Sequence, residues 1–481
     1  MSPSVEPFDE VKYKALMDGL ECSEVLLSNL EAGYRFDSEL YQKQYVVLNQ
    51  FAKTHECTTF NNEASLVSKG IFSISASCYT ETGIPFVRIS NIKNMLISQD
   101  DIVYIPEQEH AKHGKTRLVK GDIVLSKTGG PAAAYVDMNE CNVSQDTVGI
   151  KLKKESKILS EYAVVYLNCV YGIAQMKKRF TGNVQMHLNL DDCKNNVIIP
   201  VMTNSFQKII SDVFHKGLYF RNISNLLFKK CKDLLDDVLI PSKKTTDCSN
   251  FAQKKLSVTL GKTGRLDAEY YQEIYEQYNK SLYTTETVNS LCSIHDGTFE
   301  PKEGEDYRYI ELSNVGFTGG VSDVETMRGE ELPSRARRKV SAGQIVISSI
   351  EGSLQNCALI TDDFDDCLCS TGFYVLDSSE INSETLLVLF KSEAIQALMK
   401  QRCSGTILTA ISKDELLSMP LPRIDAKIQK DIATKIQESF ALRRQSKQLL
   451  EYAKQAVEMA IEQGEDIAFA WLEDKISGSE I

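Results

Sequence analysis

Few residues of this 481-residue chain have the types and spacing that bond-making chemistry needs. Leu260-Gly261-Lys262-Thr263-Gly264 has the ending of a phosphate-binding loop. That loop also needs a glycine five residues before its final Gly-Lys, and Leu256 stands there, which leaves a glycine-containing turn ahead of a helix. No Asn-Pro-Pro-Tyr or Asp-Pro-Pro-Tyr box occurs, the feature an amino-methyltransferase needs for a flipped base. No acidic-acidic-lysine nuclease cluster stands out. His110-x-x-His113 could share one helix face, but no Cys or His lies nearby at ligand spacing, so the pair reads as exposed loop histidines. Cys367-x-Cys369 is one isolated pair of strand residues. The expectation is a chain with no catalytic, cofactor-binding or metal-binding residues.

Basic side chains beside flexible loops are what remains. In the first half these are Lys112, Lys115 and Arg117, then Lys127 in Lys127-Thr128-Gly129-Gly130, then Lys177, Lys178 and Arg179. In the second half they are Arg335, Arg337, Arg338 and Lys339, with Lys400 and Arg402. Arg and Lys neutralise phosphates and pair with guanine edges. Glycine lets a backbone approach a groove closely. A solvated charged face competes with this reading at every single position. His187 stands either as a DNA contact or as a residue satisfied by a local hydrogen bond.

The net charge of −12 argues against a nucleic-acid partner until its location is considered. Residues 1–40 carry −6 and residues 462–481 carry −5, so the body between them is nearly neutral with basic clusters. Composition is that of a folded protein, 42% hydrophobic and 25% charged. No apolar run approaches the ~20 residues of a membrane-spanning helix. The polar, acidic N-terminus is not a secretory signal, and thirteen scattered cysteines form no framework. These features point to reduced thiols in a cytoplasm.

The elements that would position the basic residues are written twice. Arg35-Phe36-Asp37-Ser38-Glu39-Leu40-Tyr41-Gln42 recurs as Arg265-Leu266-Asp267-Ala268-Glu269-Tyr270-Tyr271-Gln272. Ile89-Ser90-Asn91-Ile92 recurs as Leu312-Ser313-Asn314-Val315, and Gly121-Asp122-Ile123-Val124 as Gly343-Gln344-Ile345-Val346. Gly182, Asp191 and Pro200 match Gly405, Asp414 and Pro422, and Gln207-Lys208-Ile209-Ile210 matches Gln429-Lys430-Asp431-Ile432. The shared order and near-constant offset of about 222–230 residues mark a tandem duplication of a whole domain.

Each half predicts a short helix (37–51; 267–279), β runs, a helical stretch (160–179; 383–402), a glycine loop and a strand ending in proline. Each then ends in a long amphipathic helix, 205–238 and 426–462, of about 50 Å. The first carries Phe206, Ile210, Val213, Phe220, Leu227, Leu234 and Val238 as its apolar stripe. Two such helices are natural partners in a coiled coil, although packing along their own globules would satisfy the same stripe. The fold class expected is α+β: two tandem like domains separated by two long helices that can pair as a coiled coil. The boundaries are 1–204 for the first domain with its acidic N-terminal segment, 205–240 for the central helix, 241–425 for the second domain, 426–462 for the C-terminal helix and 463–481 for an acidic tail. A dumbbell of this kind would read two short sequences across a fixed gap.

The chain resembles the specificity subunits of type I restriction-modification enzymes. The resemblance covers nearly the whole chain and is carried by Pro85-Phe86-Val87-Arg88-Ile89-Ser90-Asn91-Ile92, Gly121-Asp122-Ile123-Val124, His187-Leu188-Asn189 before Pro200, and the Gln-x-x-Ile opening of each long helix. It implies an α+β fold of two tandem target recognition domains on double-stranded DNA, separated by two long helices that form an antiparallel coiled coil and dock two modification subunits. Those partners would use S-adenosylmethionine to methylate adenine, and restriction subunits would use ATP and Mg to translocate and cut. The chain departs from the pattern at Gln344, where Asp122 stands in the first half, and at Thr409-Ala410-Ile411 against His187-Leu188-Asn189. The rivals are a recognition subunit of another methylation-based defence complex and a protein scaffold that binds no DNA.

Overall fold

The computed structural model describes residues 9–17, 25–27, 38–99, 101–181, 186–240, 253–259, 264–322, 324–405 and 409–478. The chain divides into two compact units, 1–219 with 445–481 and 220–444. Arg35-Phe36-Asp37, Gly182, Thr406 and the Leu260–Thr263 loop lie outside the described residues.

In the first unit a sheet forms around Ile123–Ser126, which pairs antiparallel with Thr147–Leu152 on one side and Ala133–Tyr135 on the other. The sheet continues through Ala64–Lys69 at one edge and Met95–Ile97 and Ile92–Lys93 at the other. Ile123–Ser126 and Ala133–Tyr135 are buried on both faces, which is why they read as short continuous apolar runs. A smaller sheet has Ile84–Val87 at its centre, parallel to Asn142–Val143 and antiparallel to Val103–Ile105.

The second unit repeats this plan. Ile345–Ser348 lies between Phe373–Asp377 and Cys357–Leu359, with Ser293–Ile294 at the edge. Asp306–Ile310 pairs parallel with Leu368–Ser370 and antiparallel with Glu325–Arg328. Cys367 and Cys369 lie at and in a buried strand of this sheet, and burial pushes the Cys369 thiol up to about 12. Among the described residues every cysteine is a free thiol.

The helical stretch of each half is two helices rather than one. They are Ser160–Asn168 with Val170–Lys177, and Ser383–Lys391 with Glu393–Arg402. The break falls at Cys169 and Ser392, both in extended conformation. Neither residue's side chain caps the helix that follows. A carboxylate from a long helix does so: Val170 N–H donates to Glu458 at 2.8 Å, and Glu393 N–H donates to Asp236 at 2.9 Å. Glu458 and Asp236 occupy equivalent positions of the two repeats, each serving a helix of the other repeat.

The match extends to single hydrogen bonds. Gln207 Oε1 accepts from Leu159 N–H at 2.8 Å, while its Nε2 donates to the Lys157 and Met202 carbonyls, both at 2.9 Å. Gln429 Oε1 accepts from Asn382 N–H at 2.8 Å, while its Nε2 donates to the Glu380 and Ile424 carbonyls at 3.1 and 3.0 Å. The glutamine that opens each long helix therefore locks it to the preceding helix pair. Gly121 and Gly343 both adopt positive φ, 98° and 86°. In that turn Asp122 accepts from Val119 N–H at 2.8 Å and Gln344 from Ser341 N–H at 2.9 Å. The amide at 344 thus replaces a carboxylate without loss of the bond.

The long helices are Asn204–Leu239 and Ala426–Gln463, and they run antiparallel. In the first unit the Ser446 hydroxyl donates to the Gly217 carbonyl at 2.7 Å. In the second, the Ser224 and Ser439 hydroxyls meet at 2.9 Å, and the Cys231 sulfur lies 4.0 Å from the Ile432 carbonyl oxygen. The expected stripe holds through Phe206, Ile210 and Val213, but Phe220, Leu227 and Leu234 are half-buried and Val238 is exposed. Ser224, Phe228, Cys231, Leu235 and Leu239 take the buried positions instead. Small polar residues fill the seam there, so counting apolar residues follows the wrong face. The helix ends also pack on the globules, since Phe228, Leu235, Ile432, Ile436 and Phe440 join the second unit's core. The segment read as an acidic tail carries a helix, Glu465–Gly478, with Ala468 and Leu472 buried.

Candidate nucleic-acid interface

At one end of the first unit's main sheet three connections converge. Lys69 ends an edge strand beside Val148, and Lys127 follows the central strand. The turn at 144–147 lies between them: Gly70 N–H donates to the Thr147 carbonyl at 3.1 Å and Lys127 N–H to the Asp146 carbonyl at 2.8 Å. The Lys127 carbonyl accepts from Leu188 N–H at 2.8 Å, which brings the Phe180–Thr181 and His187–Leu188 hairpin against the Lys127–Gly130 loop. Gly129 and Gly130 have positive φ, 74° and 120°, and Ser126 Oγ donates to the Gly130 carbonyl, closing that loop. His187 Nδ1 is buried with no hydrogen-bond partner among the described residues, so a local hydrogen bond does not satisfy it.

Of the expected contacts, this sheet end holds Lys127, while Lys177 is exposed in the last turn of the helix that precedes the hairpin. Lys178 and Arg179 do not fit the expectation of a solvent-facing cluster. Both are buried, with the Lys178 ammonium 6.0 Å from the Tyr41 ring centre, because the last turn of that helix packs inward. Lys112, Lys115 and Arg117 form a separate group after the Val103–Ile105 strand. Lys112 pairs with Glu109 at 2.7 Å and Arg117 with Glu140 at 2.6 Å, while Lys115 is exposed with no ion pair among the described residues. His110 is not an exposed loop residue. It is buried on the helix Glu107–Lys112, where Nε2 donates to Glu140 at 2.6 Å and Nδ1 accepts from Asn142 at 3.0 Å. Among the described residues no group of His, Cys, Asp or Glu could hold a metal ion.

The second unit presents the same sheet end with different chemistry. Ser349 N–H donates to the Gly372 carbonyl at 2.9 Å, and Ile350 bridges Ala410 where Thr128 bridges His187. This pairing sets His187-Leu188-Asn189 against Ala410-Ile411-Ser412, one residue on from the sequence match. Asn189 and Ser412 each cap the next helix. Arg338 donates to the Phe373 carbonyl beside this end, 5.6 Å from the Tyr374 ring centre. Arg337 pairs with Glu300 at 2.8 Å and Lys339 with Asp366 at 2.6 Å. Arg335 and Lys400 are exposed with no ion pair among the described residues. Arg402 is largely buried 3.9 Å from Glu415, and burial lowers its pKa.

Sequence reasoning missed Lys69, Phe72 and Gln145. The signal was present in Lys69-Gly70-Ile71-Phe72, a base and a glycine beside an aromatic residue, but strand pairing alone places it against the 144–147 turn that Lys127 also borders.

No family model matches the chain, and no curated protein matches it in sequence. Among solved structures it is similar to a type I restriction-modification system S subunit from M. genitalium, at 13% identity and TM-score 0.37, covering 84% of this chain and 94% of that one. It is also similar to a chain from a study of complex assembly and conformational transition of the type I R-M system, at 15% identity and TM-score 0.27, covering 85% and 98%. A third similar structure is the HsdS subunit from Thermoanaerobacter tengcongensis, at 13% identity and TM-score 0.27, covering 85% and 97%.

Proposed function

We propose that the chain is a DNA sequence-recognition subunit that reads a bipartite target, one half-site per repeat, and brings partner enzyme subunits to it. The observation that supports this most is the duplication itself, matched down to the three hydrogen bonds of Gln207 and of Gln429. Two like modules joined by paired antiparallel helices are suited to two short sequences separated by an unread gap. The chemistry belongs to the partners: two adenine modification subunits with S-adenosylmethionine, and restriction subunits with ATP and Mg. This chain contributes no catalytic residue and works in the cytoplasm. Among the described residues no helix is long and apolar enough to cross a membrane.

The test is selection from random duplex DNA by the chain assembled with its modification subunits. Two fixed sequence blocks separated by a constant, unselected gap are expected. A scaffold that binds only protein would enrich no sequence.

A further inference from the structure

Phe72 is 82% exposed at a turn that is held on both sides. Gly70 runs so close to the neighbouring strand that a Cβ there would sit 2.1 Å from the Ser144 carbonyl oxygen. Ile71 is buried, and its N–H donates to the Val143 carbonyl at 2.8 Å. Ser73 adopts the left-handed region at φ 61°, with its N–H 3.4 Å from Gln145 Oε1. The backbone is thus anchored before and after a ring that has no core to join. A non-glycine residue at positive φ is uncommon and costs free energy. In the corresponding connection of the second unit Phe299 packs instead, 5.7 Å from the Tyr307 ring and beneath the Lys339 ammonium.

Two lysines border the turn on which the Phe72 segment packs. Lys69 and Lys127 border the same 144–147 turn and make no ion pair among the described residues. Asp146 is the carboxylate in that turn. An exposed aromatic ring, on a segment packed against a turn that two unpaired lysines also border, suits a polyanion whose interior is apolar. Apolar side chains that enter a DNA groove unstack a base step while flanking cations hold the backbone.

We infer that Phe72 is a wedge that inserts at a base step of the half-site read by the first unit, with Lys69 and Lys127 on the adjoining phosphates. This rests on the DNA-reading function proposed above. Stacking of this kind tolerates many sequences, so the ring would set the fit and bend of the site more than its base identity.

The test uses the full complex with its modification subunits and duplexes carrying 2-aminopurine at successive positions of the selected site. Binding of the wild-type complex is expected to raise fluorescence at one step within one half-site. Phe72→Ala should abolish that rise and weaken binding on the order of tenfold, while Phe72→Leu should retain part of both. A rise that persists in Phe72→Ala overturns the wedge. So does wild-type binding that stays sequence-specific with no unstacked position. Loss of the modification subunits from the Phe72→Ala complex would assign the ring to a protein contact and equally overturn it. If the wild-type complex prefers no sequence at all, the DNA-reading function itself has failed.

Discussion

The two units use the same frame and dress it differently. Gln207 and Gln429, Asp122 and Gln344, and Glu458 and Asp236 make matching hydrogen bonds at matching places. At the sheet ends the match stops. The first unit has Thr128, His187, an exposed Phe72 and the unpaired Lys69 and Lys127. The second has Ile350 and Ala410 there, with Arg338 held against Tyr374. Bonds that position elements tolerate few residue types, whereas a surface that reads a ligand must differ wherever the ligand differs. Under the proposed function, that contrast is expected of two readers of unlike half-sites.

Breaking the frame should have the largest effect, in both units and more strongly in the first. Gln207 is 1% exposed, so Gln207→Ala strands buried amide and carbonyl groups at a cost of about 2–3 kcal/mol. Gln429 is only half-buried, and Gln429→Ala should cost about 1–2 kcal/mol. Chemical denaturation of the two variants measures both. A tenfold disparity in the opposite direction would mean that the two glutamines are not equivalent.

The capping carboxylates come next. Asp236→Ala and Glu458→Ala should each cost about 1–2 kcal/mol. Asp236 is expected at the upper end because it is buried and also pairs with Lys232 at 3.2 Å. Equal, negligible losses in denaturation would show that water replaces the caps.

How much of this is legible in the sequence follows the same division. The duplication, the α+β class and the long helices can be read because they rest on repeated glycines, glutamines and apolar spacing. The seam of the first helix cannot, since Ser224 and Cys231 occupy it where an apolar count looks for Leu227 and Leu234. Charge alone makes Lys178 and Arg179 look exposed, and the inward packing of the helix end leaves no mark in the residue types. Phe72 escapes a sequence reading because its exposure depends on a strand pairing about seventy residues away.

Binding electrostatics sharpen the comparison at the surface. Replacing the unpaired Lys69 and Lys127 together, or Arg335 and Lys400 together, by Ala should flatten the salt dependence of DNA binding by roughly one unit for each phosphate no longer neutralised. Arg337→Ala with Arg338→Ala should change that slope less, because both guanidiniums already have protein partners. A larger change from the Arg337 and Arg338 pair would reverse the assignment.

The smallest effect is expected at Asp122. Burial raises its pKa above the ordinary 3.8, while the Val119 N–H and Lys151 pull it down. With the folded value above the unfolded one, the native state binds more protons, so stability falls as pH rises from about 3.8 through the folded value. Asp122→Asn, which imitates Gln344, should remove that slope and shift stability at neutral pH by less than about 1 kcal/mol. Unfolding midpoints across the acid range would show it, and an unchanged slope would remove Asp122 as its source.

The central claim is that two half-sites are read across a gap set by the paired helices. The direct measurement is a map of methylated adenines for the parent complex and for one with seven residues inserted in both long helices, after Tyr219 and after Arg444, where the chain divides between the two units. Seven residues keep the seam in register and add roughly 10 Å, about three base pairs of duplex. The account predicts the same two half-sequences with a gap lengthened by about three base pairs. Unchanged spacing with altered half-sequences, or a target that was never bipartite, would contradict it.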